Sequence, residues 1–464
     1  MYQLDFNKPI HVYFSGIGGI SMSGLARILR SKGFRVSGSD RAASSITDDL
    51  AADGIRVIIG QKKENITPDI DLVVFTAAIH PDNPEYIAVK ENGIPYIGRS
   101  VLLGQIMRAY KNPVAISGTH GKTTTTSMIS EIMMEAGTDP TLSIGGILDS
   151  IGGNVRIGQS DYFAAEACEY TNSFLDMYPG IGIILDIDAD HLDFFKDLDD
   201  IRSSFRKFAQ LIPEDGALII NTQIPDYEQI CGSLACDVIL YGPDSSADYW
   251  PEDITYDEYA HATYTLCSRG KDGTVSRQTI SLSVPGEHNV YNSMAAVAAA
   301  DRLGIDRAAS AAALKKYVGT ERRFQVLGTV NGFTVVDDYA HHPTEIEATL
   351  RTAKNFPHRE LWCVFQSHTY TRTKALMDDF AKALTLADHV ILAKIYPARE
   401  TDTLGISSHT LAEKIEALGH PCLCLDTFEE IENYLLKNCR KNDLVITMGA
   451  GNINEVGHSL VSRQ

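Results

Sequence analysis

Apolar and polar positions alternate in a regular order along the first hundred residues. An apolar segment at 10–14 ends in a glycine turn at 16–19, and a helical pattern of apolar residues then closes at Gly33. A second apolar segment at 34–36 leads to Ser39-Asp40. A strand, a glycine turn, a helix and a second strand in this order predict a βαβ unit, and therefore a parallel sheet.

The same alternation restarts at two later points in the chain. An apolar segment at 112–117 precedes a glycine-rich turn and a helical pattern that extends to about 136. Further strands are predicted at 71–76, 162–167, 181–185, 217–220, 361–366, 389–395, 422–425 and 443–448, helices at 288–303, 374–386, 409–418 and 428–436, and a hairpin around Lys271-Asp272-Gly273 within 253–285.

These restarts predict an α/β protein of three domains. Residues 1–108 are expected to form a Rossmann-like domain, and residues 109–320 a central ATPase domain of the P-loop type that binds a mononucleotide. Residues 321–464 are expected to form a second Rossmann-like domain. A chain of 464 residues has room for three domains of about 150 residues each.

The composition excludes several classes of function. The chain has 60 acidic and 41 basic residues and a formal net charge of −19, which disfavours binding to nucleic acid or to an anionic membrane. No apolar run is long enough to span a bilayer, and the first residues lack the order of a signal peptide. Eight cysteines without zinc-like spacing are expected to be reduced thiols. We therefore expect a cytoplasmic protein without membrane insertion.

The most specific motif is Ser117-Gly118-Thr119-His120-Gly121-Lys122-Thr123-Thr124, between the predicted strand and helix. Glycines allow backbone N–H groups to surround phosphate oxygens, and the helix N-terminus adds positive potential. In such a loop the lysine reaches the β- and γ-phosphates, and the hydroxyl of the next residue binds Mg²⁺. The chain departs from the standard pattern at Ile116, where that pattern has glycine. The motif still predicts an ATP site.

The glycine turn near the N-terminus is a weaker signal. Gly16, Gly18 and Gly19, with Gly24, approximate a dinucleotide-binding turn, although the third glycine is misplaced. Asp40 follows at the distance where an acidic residue binds a ribose hydroxyl in such domains. The turn is compatible with a nicotinamide enzyme, with a domain that binds another nucleotide, or with a tight turn that binds nothing.

Two acidic clusters follow the phosphate loop. The sequence Glu166-Ala167-Cys168-Glu169 ends one predicted strand, and Asp186-Ile187-Asp188-Ala189-Asp190-His191 ends another. Ligands of parallel sheets bind at the carboxyl ends of strands, where carboxylates beside a triphosphate are suited to Mg²⁺. His191 is an unusual Mg²⁺ ligand, and a capping or loop role for it stays open.

Charged and polar residues are also concentrated at predicted strand ends of the third segment. They are Arg322-Arg323, Asp337-Asp338-Tyr339-Ala340-His341-His342-Pro343 and His368-Thr369-Tyr370-Thr371-Arg372. Arginine suits bidentate binding of phosphate or carboxylate. The paired histidines are compatible with zinc, but no third ligand follows at helical spacing, and a helix start before Pro343 is the simpler alternative.

Together these motifs resemble the Mur ligases, ATP-dependent amino-acid ligases of peptidoglycan assembly. The similarity rests on residues 118–124, His191, Glu287-His288-Asn289 with Asn292, Arg322-Arg323-Phe324 and residues 337–343. One branch of the family adds L-alanine to UDP-N-acetylmuramate. The chain is similar to members of that branch at residues 16–19, 365–373, 395–400 and 449–451. The resemblance extends over essentially the whole chain.

The resemblance implies an enzyme that joins L-alanine to the carboxylate of UDP-N-acetylmuramate through an acyl phosphate, with ATP and Mg²⁺. It implies a monomer or a homodimer, with the sugar nucleotide in the N-terminal domain at Gly16, Gly18, Gly19, Ser39 and Asp40. By the same resemblance, Lys122 binds phosphate, Thr123 and Glu169 hold Mg²⁺, His191 assists the metal, and His288 and Asn292 face adenine. Arg322 is expected at the phosphates, Asp338 at the ribose of ATP, and Tyr339, His341 and Arg372 around the amino acid and the transferred phosphoryl group.

Three positions depart from the family pattern. Tyr170 follows Cys168-Glu169 where many members have Ala-Asp-Glu-Ser, and Thr369 stands where some have arginine. Lys207 is at an uncertain register for the carbamoylated lysine of other branches, so we do not predict that modification. Three alternatives remain: a recycling ligase that attaches a preformed peptide to the same sugar nucleotide, a nucleotide-binding regulatory protein, and a dehydrogenase.

Overall fold

The structure, a computed structural model, describes residues 2–76, 79–398 and 400–463. Arg399, part of the similar run at 395–400, lies outside the described residues. The described chain forms three sheets that follow one another along the sequence. Among the described residues, no helix combines the length and apolar character needed to cross a membrane.

The first sheet is parallel, with the strand order β3-β2-β1-β4-β5. Residues along β1 alternate between two cores: Val12 and Phe14 pack with Leu25 of α1, and Tyr13 packs with Val89 of α3. Both faces are therefore covered, as in a doubly wound fold. The elements are β1 (His11–Ser15), α1 (Ile20–Ser31), β2 (Arg35–Asp40), α2 (Ser45–Ala52), β3 (Arg56–Ile59), β4 (Leu72–Phe75), α3 (Pro84–Asn92), β5 (Tyr96–Gly98) and α4 (Arg99–Met107).

The central sheet has the order β15-β14-β13-β12-β11-β10-β6-β9-β7-β8. Its middle strands are parallel, while the β13–β14–β15 meander and the β7–β8 hairpin are antiparallel. The elements are β6 (Asn112–Ser117), α5 (Lys122–Glu135), β7 (Thr141–Leu148), β8 (Gly153–Arg156), β9 (Tyr162–Glu166), β10 (Ile181–Ile184), α6 (Leu198–Ala209), β11 (Ala217–Asn221), α7 (Tyr227–Cys231), β12 (Asp237–Tyr241), β13 (Tyr249–Tyr256), β14 (His261–Arg269), β15 (Val275–Pro285), α8 (His288–Arg302) and α9 (Arg307–Lys316).

The third sheet has the order β16-β17-β21-β18-β19-β20 and is parallel except for the β16–β17 hairpin. The elements are β16 (Gln325–Val330), β17 (Phe333–Asp338), α10 (Pro343–Asn355), β18 (Leu361–Phe365), α11 (Tyr370–Ala375), α12 (Met377–Leu384), β19 (His389–Leu392), α13 (Ser408–Ala417), β20 (Cys422–Cys424), α14 (Phe428–Asn438), β21 (Leu444–Met448) and α15 (Asn454–Ser462).

The predicted α/β class with three domains is confirmed, but the predicted helix at 374–386 is wrong in its bounds. The helical region begins at Tyr370 because the carboxylate of Glu400 accepts the backbone N–H groups of Tyr370 and Thr371 at 2.7 and 3.0 Å. It then breaks at Leu376, whose φ of −113° and ψ of 20° are not helical. A carboxylate from a distant loop thus sets the helix start.

The three central parallel strands β9, β6 and β10 end at the same edge of the sheet. The glycine loop after β6 and both acidic clusters therefore converge there, as the sequence predicted.

Candidate active site

The glycine loop joins β6 to α5, and two of its glycines are required by its conformation. Gly118 has a φ of +146° and Gly121 a φ of +77°, values that favour glycine. A Cβ atom at Gly118 would lie 2.9 Å from the Cβ of Leu185, at the end of β10. The loop therefore packs closely against the neighbouring strand, and α5 begins at Lys122 directly after it.

Lys122 is held by the loop and by one buried carboxylate. Its Nζ atom donates to the carbonyls of Gly118 and Thr119 at 2.6 and 2.9 Å and to both oxygens of Glu169 at 3.0 and 3.2 Å. Burial alone would lower the pKa of Lys122, but Glu169 and other nearby acidic groups raise it above its usual value. The lysine is therefore charged at the helix start, where a phosphate group would bind.

The predicted metal ligands lie around the same carboxylate. Glu169 is almost fully buried, Thr123 is buried at the start of α5, and the Nε2 atom of His191 lies 3.6 Å from Glu169. Burial lowers the pKa of His191, although Asp190 and Glu169 oppose this effect. Tyr170, the departure from the family pattern, stacks on the His191 ring at 4.4 Å. A buried carboxylate, a hydroxyl and a neutral imidazole are donors that fit a divalent cation.

A cavity of about 240 Å³ lies beside the glycine loop, between the central and C-terminal sheets. Most of the predicted nucleotide-binding residues line it or form the adjoining loop. The lining includes His120, Gly121, Thr124, His288, Asn292, Asp338 and Arg323, and the adjoining loop contains Gly118, Thr119, Lys122 and Thr123.

The predicted adenine and ribose residues have distinct environments in this cavity. Burial, with the nearby charge of Arg323, lowers the pKa of His288 to about 4, so its ring is neutral at pH 7. The amide of Asn292 donates to Asn289 at 3.0 Å. Asp338 accepts the backbone N–H groups of Phe324 and Ala340, and burial raises its pKa to about 6.

Arg322 has a different environment from the one predicted. Its guanidinium donates to the fully buried Asp337 at 3.1 Å and to the carbonyl of Gly449 at 2.7 Å, so it joins strands of the C-terminal sheet. Arg323 lines the nucleotide cavity instead. Sequence spacing does not separate two adjacent arginines, and the structure gives them different partners. We therefore expect Arg323, and not Arg322, to contact the phosphates.

A larger cleft, of about 590 Å³, lies between the loop after β10 and the C-terminal domain. Asp190, His191, His368, Arg372 and Tyr170 are among its lining residues. Arg372 forms an ion pair with Asp190 at 3.0 Å, and both side chains are largely buried. The cleft therefore joins an arginine of the third domain to an acidic loop of the second.

Tyr339 and His341 are not among the residues that line this cleft, and their place around the amino acid stays a prediction. The Tyr339 ring packs against the guanidinium groups of Arg322 and Arg323, at 4.8 and 5.3 Å. The Nδ1 atom of His341 lies 3.0 Å from the carbonyl oxygen of Tyr339 and 3.2 Å from the carboxylate of Glu345. Burial lowers the pKa of His341 to about 4, against the effect of Glu345. The ring of His341 is therefore neutral. It lies behind His368, which lines the cleft, with 6.2 Å between the two ring centroids.

The N-terminal glycine turn is closed by its own hydrogen bonds. Gly16 and Ile17 donate to the carbonyl of Ser39, both at 2.8 Å, Gly18 donates to Asp40 at 2.8 Å, and Gly19 donates to the carbonyl of Gly16 at 3.2 Å. These backbone N–H groups therefore already have acceptors within the domain, and the binding of the sugar nucleotide at this turn stays a prediction. Asp40 accepts the backbone N–H of Gly18 in this turn. A contact with the ribose or the uracil would require the same carboxylate to accept a second hydrogen bond.

Glu85, a buried carboxylate beneath this turn, is not among the site residues that the sequence predicts. Glu85, in the first turn of α3, accepts hydrogen bonds from Tyr13, Ser15, Ser39 and Asn65 at 2.5–2.8 Å. Ser15 and Ser39 end the two strands that carry the turn, so Glu85 fixes their positions. Its sequence signal was only an acidic residue after the Asn83-Pro84 helix start.

Three family models match the chain in order along the sequence. The catalytic domain of the Mur ligase family matches residues 11–111, the Mur ligase middle domain residues 116–300, and the glutamate ligase domain residues 322–451. The UDP-N-acetylmuramate–L-alanine ligase of Lachnospira eligens is 59% identical over 99% of this chain and 100% of its own length. The chain belongs to the Mur ligase family. The boundaries at 108/109 and 320/321 remain predictions.

Solved structures agree with this assignment. The UDP-N-acetylmuramate–alanine ligase from Thermotoga maritima has a TM-score of 0.81 and 29% identity, over 98% of this chain and 99% of that one. A murein peptide ligase from Psychrobacter arcticus has a TM-score of 0.73 and 26% identity, over 98% of both chains. This chain is therefore similar to a ligase named for alanine and, with a lower TM-score, to one named for a peptide.

Proposed function

We propose that this protein ligates L-alanine to the carboxylate of UDP-N-acetylmuramate, in the cytoplasm and at the expense of ATP, as a step of peptidoglycan precursor synthesis. One geometric observation carries the proposal. The loop after β10 contributes Asp186 to the nucleotide cavity and residues 189–193 to the larger cleft. The end of a nucleotide in the first site would therefore lie next to a substrate in the second.

This adjacency suits the chemistry of amide formation from a carboxylate. A carboxylate oxygen of the sugar nucleotide attacks the terminal phosphorus of ATP, and ADP leaves, which gives an acyl phosphate. The amine of alanine then attacks the acyl carbon and loses a proton, and inorganic phosphate leaves with one oxygen of the original carboxylate. The first step depends mainly on positioning and on neutralisation of phosphate charge.

Residues of the chain supply most of that charge. Lys122 is the cation at the start of α5, and Arg323 is the cation that lines the nucleotide cavity. Thr123, Glu169 and His191 would hold Mg²⁺, which when bound supplies further positive charge to the phosphate oxygens. We therefore assign phosphoryl transfer to the edge of the central sheet.

The amino acid would bind in the larger cleft. Arg372 offers a planar group that matches the free carboxylate of alanine, once its ion pair with Asp190 is exchanged. The neutral His341 lies behind the cleft and would act through His368, whose ring lies 6.2 Å away. A single methyl group gives little binding energy, about 1–3 kcal/mol, so we expect strong rejection of large residues and weak rejection of glycine and serine.

Isotope transfer tests both the reaction and its intermediate. Purified protein is given ATP, L-alanine and UDP-N-acetylmuramate labelled with ¹⁸O in the carboxylate. We expect ADP, the alanyl product and inorganic phosphate that carries one labelled oxygen. ADP formation that does not depend on the sugar nucleotide and alanine, or phosphate without label, would contradict the proposal.

The same assay separates the alternatives. The tripeptide L-alanyl-γ-D-glutamyl-meso-diaminopimelate is offered in place of alanine, and turnover with the tripeptide alone would identify a recycling ligase. Nucleotide binding without turnover would identify a regulatory protein. A change in nicotinamide absorbance on mixing with either substrate would identify a dehydrogenase.

A further inference from the structure

Three side chains from two domains meet beside the nucleotide cavity, at a point to which the proposed reaction assigns no chemical step. His120 belongs to the glycine loop, Asp188 follows β10, and His342 precedes α10. The Nε2 atom of His120 lies 3.4 Å from Oδ2 of Asp188, and Nδ1 of His342 lies 3.8 Å from the same oxygen. All three ligand atoms lie within 4.8 Å of one another.

The second nitrogen of each imidazole ring already has an acceptor. Nδ1 of His120 lies 3.1 Å from a carboxylate oxygen of Glu345, and Nε2 of His342 lies 3.2 Å from the carbonyl oxygen of Ala189. Metal-bound histidines in proteins are oriented in this way, by a carboxylate or a carbonyl on the other ring nitrogen. The two contacts direct Nε2 of His120 and Nδ1 of His342 toward Asp188.

The environment of His342 keeps the ligating nitrogen free of a proton. Nδ1 of His342 accepts the backbone N–H of Thr344 at 3.4 Å, so this nitrogen carries no proton, and zinc would take its lone pair from that long bond. Burial lowers the pKa of His342. Burial would also lower the pKa of His120, but Asp186, Asp188 and Glu345 raise it above its usual range, so zinc would have to displace a proton there. Neutral imidazole is the form that binds metals.

We propose that His120, Asp188 and His342 form a Zn²⁺ site that links the phosphate loop to the C-terminal domain. Two imidazoles and one carboxylate favour zinc over Mg²⁺, which prefers oxygen ligands. Tetrahedral zinc with bonds of about 2.0–2.1 Å places its ligand atoms about 3.3–3.5 Å apart, close to the observed 3.4 and 3.8 Å. One of the three ligands, His120, also lines the nucleotide cavity.

Zinc at this point would restrain the opening of the two domains. In the structure, the link between the two sides consists of hydrogen bonds, including one from Thr344 to Asp188 at 2.6 Å. Zinc binding displaces the proton that His120 shares with Asp188 and replaces a weak polar link with metal bonds. The site thus couples zinc to the geometry of the nucleotide cavity without a part in the proposed phosphoryl transfer.

The test is zinc binding to the whole, nucleotide-free protein, measured by calorimetry and by the visible absorption of Co²⁺ as a zinc substitute. His342→Asn removes the imidazole but keeps a side chain that caps α10. Asp188→Asn is a second variant that retains hydrogen bonding to the loop. The exposed His409, on α13, provides the matched control His409→Asn.

We expect one zinc ion per wild-type chain at this site, with a tetrahedral Co²⁺ spectrum. His342→Asn and Asp188→Asn should each lower the affinity by at least about 10–100-fold, and His409→Asn should leave it unchanged. Equal binding by wild type and both variants would overturn the proposal. Loss of the zinc ion in Glu169→Gln instead would also overturn it, because zinc would then occupy the proposed magnesium site.

Discussion

Replacement of Lys122 by alanine should affect both the activity and the stability of the protein. The lysine donates to both carboxylate oxygens of Glu169, and the side chains are only 16% and 3% exposed. The change opens no cavity in the core, so the sequence alone predicts that the fold stays intact. The structure adds a consequence, since Lys122→Ala leaves a buried carboxylate without its cation.

The size of the effect follows from two limits. Removal of one member of a buried ion pair costs about 3–5 kcal/mol, because the other charge stays buried and unpaired. Protonation of an ordinary carboxylate at pH 7 costs about 3–4 kcal/mol, which limits the loss if the buried group neutralises itself. We therefore expect a loss of about 2–4 kcal/mol in the free energy of unfolding.

Urea unfolding and turnover measure the two effects separately. Lys122→Ala should shift the urea midpoint of the central domain downward and reduce kcat by about 10²–10³-fold. The double variant with Glu169→Gln should recover most of the stability but no activity, because its buried group is neutral. Lys316→Ala removes an exposed ion pair to Glu135 and should cost less than about 1 kcal/mol. If Lys122→Ala were as stable as Lys316→Ala, the buried-charge argument would be wrong.

Five further substitutions test the assignment of the binding sites by steady-state kinetics. Arg372→Ala should raise KM for L-alanine about tenfold or more and leave KM for ATP unchanged, and an ATP-only defect would contradict its role. His341→Ala should give a smaller rise in KM for alanine, because the residue lies behind the cleft, and an unchanged KM would assign it to structure. Gly18→Val should raise KM for the sugar nucleotide, since its Cβ would lie 2.8 Å from the carboxylate that holds the turn. Arg323→Ala should raise KM for ATP more than Arg322→Ala does, and the reverse order would restore the original prediction.

The sequence predicted the fold well where a short pattern is sufficient. The strand at 112–117 agrees with β6, and the glycine turn and helix follow as expected, because buried parallel strands are continuous apolar runs. The hairpin around residues 271–273 is confirmed by the pairing of β14 with β15. The short edge strands β3 and β5 were not predicted, since so few residues leave no recognisable period.

The details of the candidate site depended on contacts that no local pattern contains. The internal bonds of the turn at 16–19 arise from β2, about 20 residues away, and Glu85 reaches the same turn from α3. The choice between Arg322 and Arg323 depends on tertiary partners, since Arg322 bonds to Asp337 and Arg323 lines the nucleotide cavity. Motifs therefore located the sites, but side-chain direction required the tertiary structure.

Two cations of the proposed site are paired with carboxylates, and this has a consequence for binding. Lys122 contacts Glu169 and Arg372 contacts Asp190, so each cation is held by a carboxylate from another loop. A phosphate or an amino-acid carboxylate must therefore displace an existing partner, and each gain in ion pairing on binding is offset by a loss. The binding of one ligand then depends on the group that another ligand releases. Mg²⁺ bound at Glu169 would release Lys122 to bind phosphate. We infer that metal and nucleotide bind as a coupled set because both exchange the Lys122–Glu169 ion pair, whereas the amino acid exchanges the separate Arg372–Asp190 pair.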